Sequence, residues 1–261
     1  MPFGDIISKS RERIELVTAD NQKVVVDSGI KRLGLKIFGI PHTGMRNRAR
    51  LILRNSKFKL GDKILDAGCG VGLYGLNYAE KNKVKVTGVD LSEDKIRNAL
   101  KLKKGIGTLN INFLKGDLTK LNFKEGYFDF IICSDVLEHI PNDKKALKEL
   151  TRVLKKDGTL LLTFPYLSRH NAEVMKKFGH ARAGYDEKKV IEMSKKNNLR
   201  IEKMQGYNYF FGKEAWSINE KTFKIPVLAA IMFYPLYLLT YLDFTRIGKP
   251  DGLFVKLRKN Q

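Results

Sequence analysis

Residues 64–72, Ile-Leu-Asp-Ala-Gly-Cys-Gly-Val-Gly, join an apolar run to a turn with three glycines at alternate positions. Glycine has no Cβ, so it adopts positive φ readily and lets a ligand approach the backbone closely. A strand that ends in such a turn, directly before a helix, presents backbone N–H groups and a helix N-terminus to a cofactor. The stretch therefore predicts a nucleotide-type binding site.

An alternation of strand and helix patterns surrounds this turn. Strands are predicted at Lys63–Ala67, Val84–Val89, Ile111–Lys115, Phe128–Ser134 and Thr159–Phe164. Helices are predicted at Leu73–Lys81, Glu93–Lys104 (N-capped by Ser92) and Lys144–Leu154. Further along come a helix at Asp186–Asn197 and strands near Leu199–Met204 and Leu253–Leu257. This order predicts an α/β fold with a doubly wound, mostly parallel sheet.

The same patterns suggest how the chain is divided. Residues 1–45 are expected to form an N-terminal extension or lid, and residues 46–261 the main domain. Within the main domain, residues 165–185 are predicted to be a substrate loop. Residues from about 208 to 250 are predicted to be an apolar helical insertion before the last strand.

Composition limits the classes of partner. The chain has 261 residues and is 43% hydrophobic, which argues against global disorder. Its net charge is +21, with +8 in residues 1–60, +5 in residues 61–170 and +8 in residues 171–261. Such an excess favours an anionic membrane surface or nucleic acid as partner, and a lysine-rich solvated surface without a partner is the alternative. No arginine-rich motif interleaved with aromatic residues is present, so nucleic acid is not the preferred partner.

The cysteines bear on compartment and metal binding. Cys69 and Cys133 form no CxxC pair or Cys/His cluster, so neither a metal site nor a disulfide framework is predicted. Residues 1–5 lack a basic start followed by an apolar core, so no signal peptide is expected. These features predict a cytoplasmic protein. Association with the cytoplasmic face of a membrane is a further hypothesis.

An apolar run at Ile225–Leu242 has no charged residue over 18 positions, the lower edge of transmembrane length. Pro235 interrupts its middle, and three tyrosines cluster in its second half, as they do at membrane interfaces. Three interpretations stay open: a buried or lid helix pair, a segment lying in the membrane interface or at a lipid-substrate entrance, and a true span.

Acidic residues end or follow the first three strands of the sheet. Asp66, Asp90 and Asp117 would meet at the carboxyl edge, where parallel sheets bind ligands. A carboxylate at the position of Asp90 accepts ribose hydroxyls in dinucleotide folds. The third glycine of the turn comes one residue earlier than in the dinucleotide fingerprint, so the turn alone does not identify the cofactor.

With these residues in place, the sequence resembles the class I S-adenosylmethionine-dependent methyltransferases. The similarity is strongest to the small-molecule and quinone-type branch, methyltransferase type 11. The matching pieces, in the family's order, are residues 64–72, Val86–Asp90, Gly116–Asp117, Phe128–Ile140 and Leu147–Pro165. The resemblance implies a Rossmann-like sheet of seven strands, whose last strand is antiparallel and lies beside strand five. It also implies methyl transfer from S-adenosylmethionine.

The resemblance further implies which residues hold this cofactor. The methionine part would lie against Asp66, Gly68, Cys69, Gly70 and Gly72. The ribose and adenine would lie against Asp90, Leu91, Asp117 and Leu118. The sulfonium and its methyl group would be bordered by Ser134 and Asp135.

Catalytic and substrate residues are harder to place. His139 is the first candidate for a general base and His180 the second, because imidazole accepts a proton near neutral pH. The alternative for His139 is a capping or loop-lining role. Arg182 and Tyr185 are candidates for substrate contact, or for hydrogen bonds that tie down their own loop. Arg46 and Arg48 are expected on a solvated helix face, with the opposite side of the cleft as the alternative position.

The acceptor is expected to be a small or lipid-like molecule, methylated first of all at oxygen, with nitrogen and carbon as alternatives. Two other functions remain open: a cofactor-binding regulatory subunit without turnover, and a nucleic-acid methyltransferase suggested by charge alone. The second lacks the Asn/Asp-Pro-Pro-Tyr/Phe type of sequence after strand four, where Ser134–Leu137 stands instead.

Overall fold

The computed structural model describes residues 3, 7, 14–17, 23–26, 43–81, 83–107, 109–167, 181–222 and 226–261. Nine strands lie in these ranges: β1 (Ile14–Val17), β2 (Lys23–Val26), β3 (Lys63–Ala67), β4 (Lys85–Asp90), β5 (Ile111–Lys115), β6 (Phe128–Ser134), β7 (Leu154–Pro165), β8 (Leu199–Tyr207) and β9 (Gly252–Lys259). The described helices are α1 (Thr43–Asn55), α2 (Leu73–Lys81), α3 (Glu93–Ile106), α4 (Asp143–Val153), α5 (Glu187–Lys196), α6 (Phe210–Thr222) and α7 (Pro226–Leu239). Short 3₁₀ turns lie at Leu137–His139 and Thr240–Thr245.

Seven of the strands form one sheet in the order β5-β4-β3-β6-β7-β9-β8. The first five of these run parallel, while β9 pairs antiparallel with both β7 and β8. The predicted seven-stranded, doubly wound fold with an antiparallel last strand is therefore confirmed. The strand order reverses between β3 and β6, so their carboxyl ends border the crevice in which such sheets bind ligands.

Successive side chains of the central strands point to opposite faces of the sheet, so they contribute to two separate core clusters. Ile64 and Phe130 belong to a cluster on one face of the sheet, which also includes the buried residues of α1, α2 and α3. Leu65 and Ile131 belong to the cluster on the other face, with α4 and α5. Because both faces of β6 are covered, that strand reads as a continuous apolar run rather than an alternating one.

Most predicted elements are present, with shifted ends. Ser92 caps α3 by accepting a hydrogen bond from the Lys95 amide, as predicted. Strand β7 begins at Leu154 rather than at Thr159, because Leu154 already pairs with Phe128 on β6. Strand β8 continues to Tyr207, since its last residues pair with the beginning of β9.

Two short strands lie near the N-terminus, outside the main sheet. Strands β1 and β2 pair antiparallel, with Ile14 opposite Val26, and form a sheet of their own. The wider proposal that residues 1–45 form an extension or lid stays a prediction.

The apolar run is mostly α7, followed directly by the 240–245 turn. The helix continues through Pro235, contrary to the expectation that this proline interrupts the segment. Pro235 is exposed, so the carbonyl that lost its helical N–H partner lies on the outer side of the helix. In the ranges that the structure describes, no helix has both the length and the apolar character required to cross a bilayer.

Helix α7 is attached to the domain through α1. The Arg46 guanidinium lies 4.6 Å from the centre of the Tyr237 ring, and the Arg50 guanidinium lies 4.4 Å from that of Tyr241. Asn47 accepts a hydrogen bond of 3.2 Å from the Thr240 hydroxyl. These contacts fix the apolar segment against the domain beside the carboxyl edge of β8.

Candidate active site

The three glycines of the turn all have positive φ, at 72° for Gly68, 56° for Gly70 and 81° for Gly72. Two are required by packing as well, because a Cβ on Gly68 would lie 2.4 Å from the Val136 side chain and one on Gly72 would lie 2.3 Å from Phe113. Gly70 differs, since a Cβ there would meet no protein atom within 4 Å. The turn is thus closed toward the protein at two positions and open at the middle one.

Asp90 connects this turn to the end of β4. Its Oδ2 accepts a hydrogen bond of 2.8 Å from the Gly70 amide, and its Oδ1 accepts one of 2.9 Å from Ser92. The next residue, Leu91, is 69% exposed, which is unusual for a leucine at the edge of a buried sheet. The Asp90 carboxylate and the exposed Leu91 side chain are therefore adjacent in the chain, next to the glycine turn.

Asp66 is buried at the end of β3 and accepts a hydrogen bond of 2.9 Å from the Gly75 amide in the first turn of α2. Burial raises the pKa of its carboxyl to about 7, although the Gly75 amide acts in the opposite direction. Asp66 therefore holds the beginning of α2 against the glycine turn.

Asp117 and Leu118 follow β5 at the same edge of the sheet. The Asp117 Oδ1 accepts a hydrogen bond of 2.8 Å from the Thr119 amide, and the residue is exposed. Leu118 is buried in the cluster beneath it. The predicted grouping of Asp66, Asp90 and Asp117 at carboxyl strand ends thus agrees with the sheet topology.

A polar chain of contacts closes the end of β6. Asp135, in the left-handed region with φ of 53°, forms an ion pair with Arg48 of α1. Its Oδ1 accepts a hydrogen bond of 2.8 Å from the Thr163 hydroxyl, which lies 2.9 Å from the Ser134 hydroxyl. Helix α1 is thereby joined to the two central strands at the place where Ser134 and Asp135 were predicted to border the methyl group.

The expectation of a solvated helix face at Arg46 and Arg48 is wrong. Arg46 is 2% exposed and faces the tyrosines of the apolar segment, and the Arg48 side chain is 14% exposed. From the sequence, Arg48 was only the less favoured candidate for the cleft wall, and Thr163 was not identified as part of the site. Their partners are 87 and 28 residues from them along the chain, and no local pattern signals such pairs.

The 137–139 turn points two neighbouring ionisable residues in opposite directions. His139 is exposed, while Glu138 is 0% exposed and neither of its carboxylate oxygens has a hydrogen-bond partner within the described residues. Burial raises the pKa of Glu138 to about 8, although Arg48 and Arg182 favour its charged form. The base role of His139 stays a prediction, and Glu138 is the ionisable group that the sequence interpretation passed over.

The loop before α5 covers this turn. Ala181 donates a hydrogen bond of 2.8 Å to the Glu138 carbonyl oxygen, and Arg182 donates to the carbonyls of Leu137 at 2.5 Å and Pro141 at 2.9 Å. The Tyr185 hydroxyl, fully buried, donates to Asp143 at 2.8 Å. These contacts are of the kind that ties down a loop, and substrate contact by Arg182 and Tyr185 stays a prediction. His180, the second base candidate, lies outside the described residues.

Comparison with known proteins bears directly on this arrangement. The family profile described as a methyltransferase domain matches residues 65–162, which run from β3 through the glycine turn to β7. Residues 65–162 therefore form a methyltransferase domain of the class I S-adenosylmethionine-dependent type. This agrees with the resemblance drawn from the sequence, and the cofactor of the class is S-adenosylmethionine.

Individual relatives of this methyltransferase act on different molecules. Phosphoethanolamine N-methyltransferase 1 of Arabidopsis thaliana is 31% identical over 138 residues, 52% of this chain and 28% of its own length. Ubiquinone biosynthesis O-methyltransferase of Coxiella burnetii is 35% identical over 103 residues, 40% of this chain and 43% of its own length. This chain thus spans less than half the length of either relative.

Solved structures agree in fold. Phosphoethanolamine N-methyltransferase 2 of Haemonchus contortus, in complex with S-adenosylmethionine, superposes with a TM-score of 0.67 at 20% identity. The superposition covers 100% of this chain and 60% of that one. At this identity the likeness concerns the fold alone.

The residues present fit the cofactor of the family. Gly70 leaves the middle of the turn open, and Asp90 supplies a carboxylate directly beside it. Leu91 offers an exposed apolar surface next to that carboxylate, of the kind that an adenine ring covers. None of the described residues form a cluster of three or more His, Cys, Asp or Glu side chains able to hold a metal ion.

Proposed function

We propose that this methyltransferase transfers a methyl group from S-adenosylmethionine to a small-molecule acceptor, with oxygen as the first choice of acceptor atom and an amine nitrogen as the second. The observation that carries the proposal is the match of residues 65–162 to the methyltransferase domain. The open glycine turn, whose Gly70 amide donates to Asp90, supports it. Relatives named as N- and O-methyltransferases support both acceptor atoms.

Each part of the site has a task in this proposal. Asp66, Cys69 and the glycine turn hold the methionine part, while Asp90, Leu91, Asp117 and Leu118 hold the adenosine. When bound, the cofactor supplies a methyl group on a positively charged sulfur, which is already a strong electrophile. The protein therefore has mainly to align the acceptor and keep water out.

The linked side chains of Arg48, Asp135 and Thr163 help to align the acceptor. It fixes α1 over the ends of β6 and β7, so Ser134 and Asp135 are held in one orientation at the border of the site. An acceptor hydroxyl or ammonium must also lose a proton. His139 is the exposed side chain next to this border that can accept one.

Turnover is the direct test. The purified full chain is incubated with methyl-labelled S-adenosylmethionine and a panel that includes phosphoethanolamine, quinol-type phenols and a cell metabolite extract. We expect release of S-adenosylhomocysteine and one product that gains a labelled methyl group. Tight cofactor binding without turnover on the whole panel would instead support the regulatory-subunit alternative.

We further propose that the apolar segment rests on an anionic membrane surface, which would suit a lipid-like acceptor. The outer side of α7 carries exposed apolar residues at helical spacing, with Leu228 38% exposed, Ile231 64% and Leu238 63%. Phe244, 78% exposed, and Ile247, 52% exposed, extend this surface beyond the helix. Isolated exposed apolar residues are common, but several on one side of a helix, an apolar stripe, indicate an interaction surface.

The basic charge around the apolar stripe favours an anionic membrane, rather than a second copy of the chain, as the partner that covers it. The exposed basic residues beside the stripe are Arg54, Lys221, Arg246 and Lys249. Two chains of net charge +21 repel each other when they meet through this face, whereas an anionic bilayer attracts it. Tyr241, 49% exposed at the end of the stripe, has the amphipathic ring that membrane interfaces favour.

Replacing both Ile231 and Leu238 with serine is expected to weaken binding to phosphatidylglycerol-containing vesicles at least about tenfold, because two apolar side chains no longer enter the interface. Vesicle co-sedimentation measures the effect, with pure phosphatidylcholine vesicles for comparison. Leu60→Ser with Leu114→Ser is the matched control, since both leucines are exposed away from the stripe. Equal binding by the two double variants would refute the membrane proposal.

A further inference from the structure

A cleft of about 350 Å³ lies beside the apolar segment, between α1, the end of β8 and the 240–246 turn. It shares no residue with the glycine turn or with the strand-end acids. Arg50 and Arg54 form one wall, one helical turn apart on α1, and Arg246 lies on the opposite side. Tyr209 and Tyr241 also line it.

The net charge of this cleft is positive. Its one acidic residue, Asp243, accepts hydrogen bonds from the Tyr209 amide at 2.9 Å and the Gly212 amide at 3.0 Å, at the beginning of α6. Within the described residues, no carboxylate forms an ion pair with Arg50, Arg54 or Arg246. Three guanidinium groups therefore share a concave surface with one carboxylate, whose oxygens accept hydrogen bonds from backbone amides and form no ion pair with these arginines.

The side chain of Arg50 is held in place by its neighbours. The Arg50 guanidinium stacks over the Tyr241 ring, and its Nη2 donates a hydrogen bond of 2.5 Å to the Asn47 Oδ1. Arg246 adopts a left-handed φ of 51°, a conformation that costs free energy for a side chain of this kind. The pKa of Tyr241 is lowered, first by its hydrogen bond with Tyr237 and then by Arg50 and Arg54, which agrees with a positive potential here.

We propose that this cleft binds a phosphate group, carried either by a free phosphomonoester or by a lipid headgroup. Arginine presents several donors in a rigid plane that matches phosphate oxygens, and two or more arginines around a concave site are suited to a dianion. The stacked position of Arg50 reduces the side-chain entropy lost on binding. The proposal does not depend on methyl transfer, because it concerns binding alone.

The test compares the full chain with two double variants. Arg54→Gln with Arg246→Gln removes two charges from opposite sides of the cleft. Lys101→Gln with Lys148→Gln removes the same charge from exposed positions outside it. Calorimetric titrations use inorganic phosphate and phosphoethanolamine as free probes, and vesicles containing phosphatidic acid as the lipid probe. Binding of S-adenosylhomocysteine is measured in parallel to verify that each variant is folded.

We expect the cleft variant to lose affinity for the phosphate probe at least about tenfold, and the control variant to keep it. Loss confined to the free probes identifies a phosphomonoester site. Loss on phosphatidic acid vesicles, with binding to phosphatidylglycerol vesicles of equal surface charge retained, identifies a headgroup site. Absence of phosphate binding to the unmodified chain in both forms would overturn the proposal. Equal losses in the two variants would also overturn it, because they would show a general effect of net charge.

Discussion

Gly70→Ala is expected to weaken S-adenosylhomocysteine binding at least about a hundredfold while the chain remains folded. The added methyl group would meet no protein atom within 4 Å, so it projects out of the glycine turn into the space that the cofactor must share. A hundredfold loss corresponds to about 2.7 kcal/mol, a reasonable cost for one methyl group that blocks a close backbone approach. Calorimetric titration measures the affinity.

Gly61→Ala separates this effect from backbone strain. Gly61 also has positive φ, at 83°, and a Cβ there likewise meets no atom within 4 Å. Both substitutions should therefore lower the free energy of unfolding by about 1–2 kcal/mol through the left-handed backbone alone. Only Gly70→Ala should reduce affinity, and an equal loss in Gly61→Ala would show that the turn does not contact the cofactor.

Glu138→Gln is expected to stabilise the protein at alkaline pH. The pKa of the buried Glu138 is raised to about 8 from an ordinary value near 4.5, so the folded chain holds a proton that the unfolded chain releases within this window. The contribution of Glu138 to folding stability is therefore fully present below pH 4.5 and is lost as the pH rises toward 8. Glutamine resembles the neutral acid and carries no such cost.

The difference in unfolding free energy between this variant and the parent should thus grow from near zero at pH 4.5 to roughly 3–5 kcal/mol at pH 8. Urea denaturation at several pH values measures it. Asp66 also loses stability with rising pH, but it is present in both proteins, so their difference isolates Glu138. A difference that stays constant with pH would mean that the carboxyl is not buried in the folded chain.

Glu202→Gln is a control with the opposite sign. Hydrogen bonding with Arg258, and then with Lys256, lowers the pKa of Glu202 to about 2, so its stabilising contribution is present at neutral pH and is lost on acidification toward pH 2. The glutamine variant should be less stable than the parent at pH 8, by a small amount because the pair is close to solvent.

The sequence predicted the parts of the fold and site that depend on residues close together in the chain. The glycine turn, Asp90 after β4 and the apolar run of β6 are each readable from a few neighbouring residues, because strand ends and turns carry their own patterns. The antiparallel last strand came from the family resemblance rather than from any local pattern. The topology later confirmed it.

The sequence was uninformative where partners lie far apart. A basic helix such as α1 is predicted to face solvent, because basic residues are usually exposed. No pattern in the neighbouring sequence shows that Arg48 contacts Asp135 or that Arg46 contacts Tyr237. Likewise, Glu138 and His139 are adjacent in the chain, but the 3₁₀ turn buries the first and exposes the second. Such differences depend on tertiary packing.

The position of β9 determines which elements are expected to unfold together. Among the described strands, β8 pairs only with β9, and the excursion from α6 to the 240–245 turn leaves the sheet after β8 and returns at β9. Separating β9 from β7 therefore also releases β8 and loosens the base of that excursion. We therefore expect the apolar segment and this sheet edge to open together, with the β7–β9 ladder and the contacts from α1 opposing that opening.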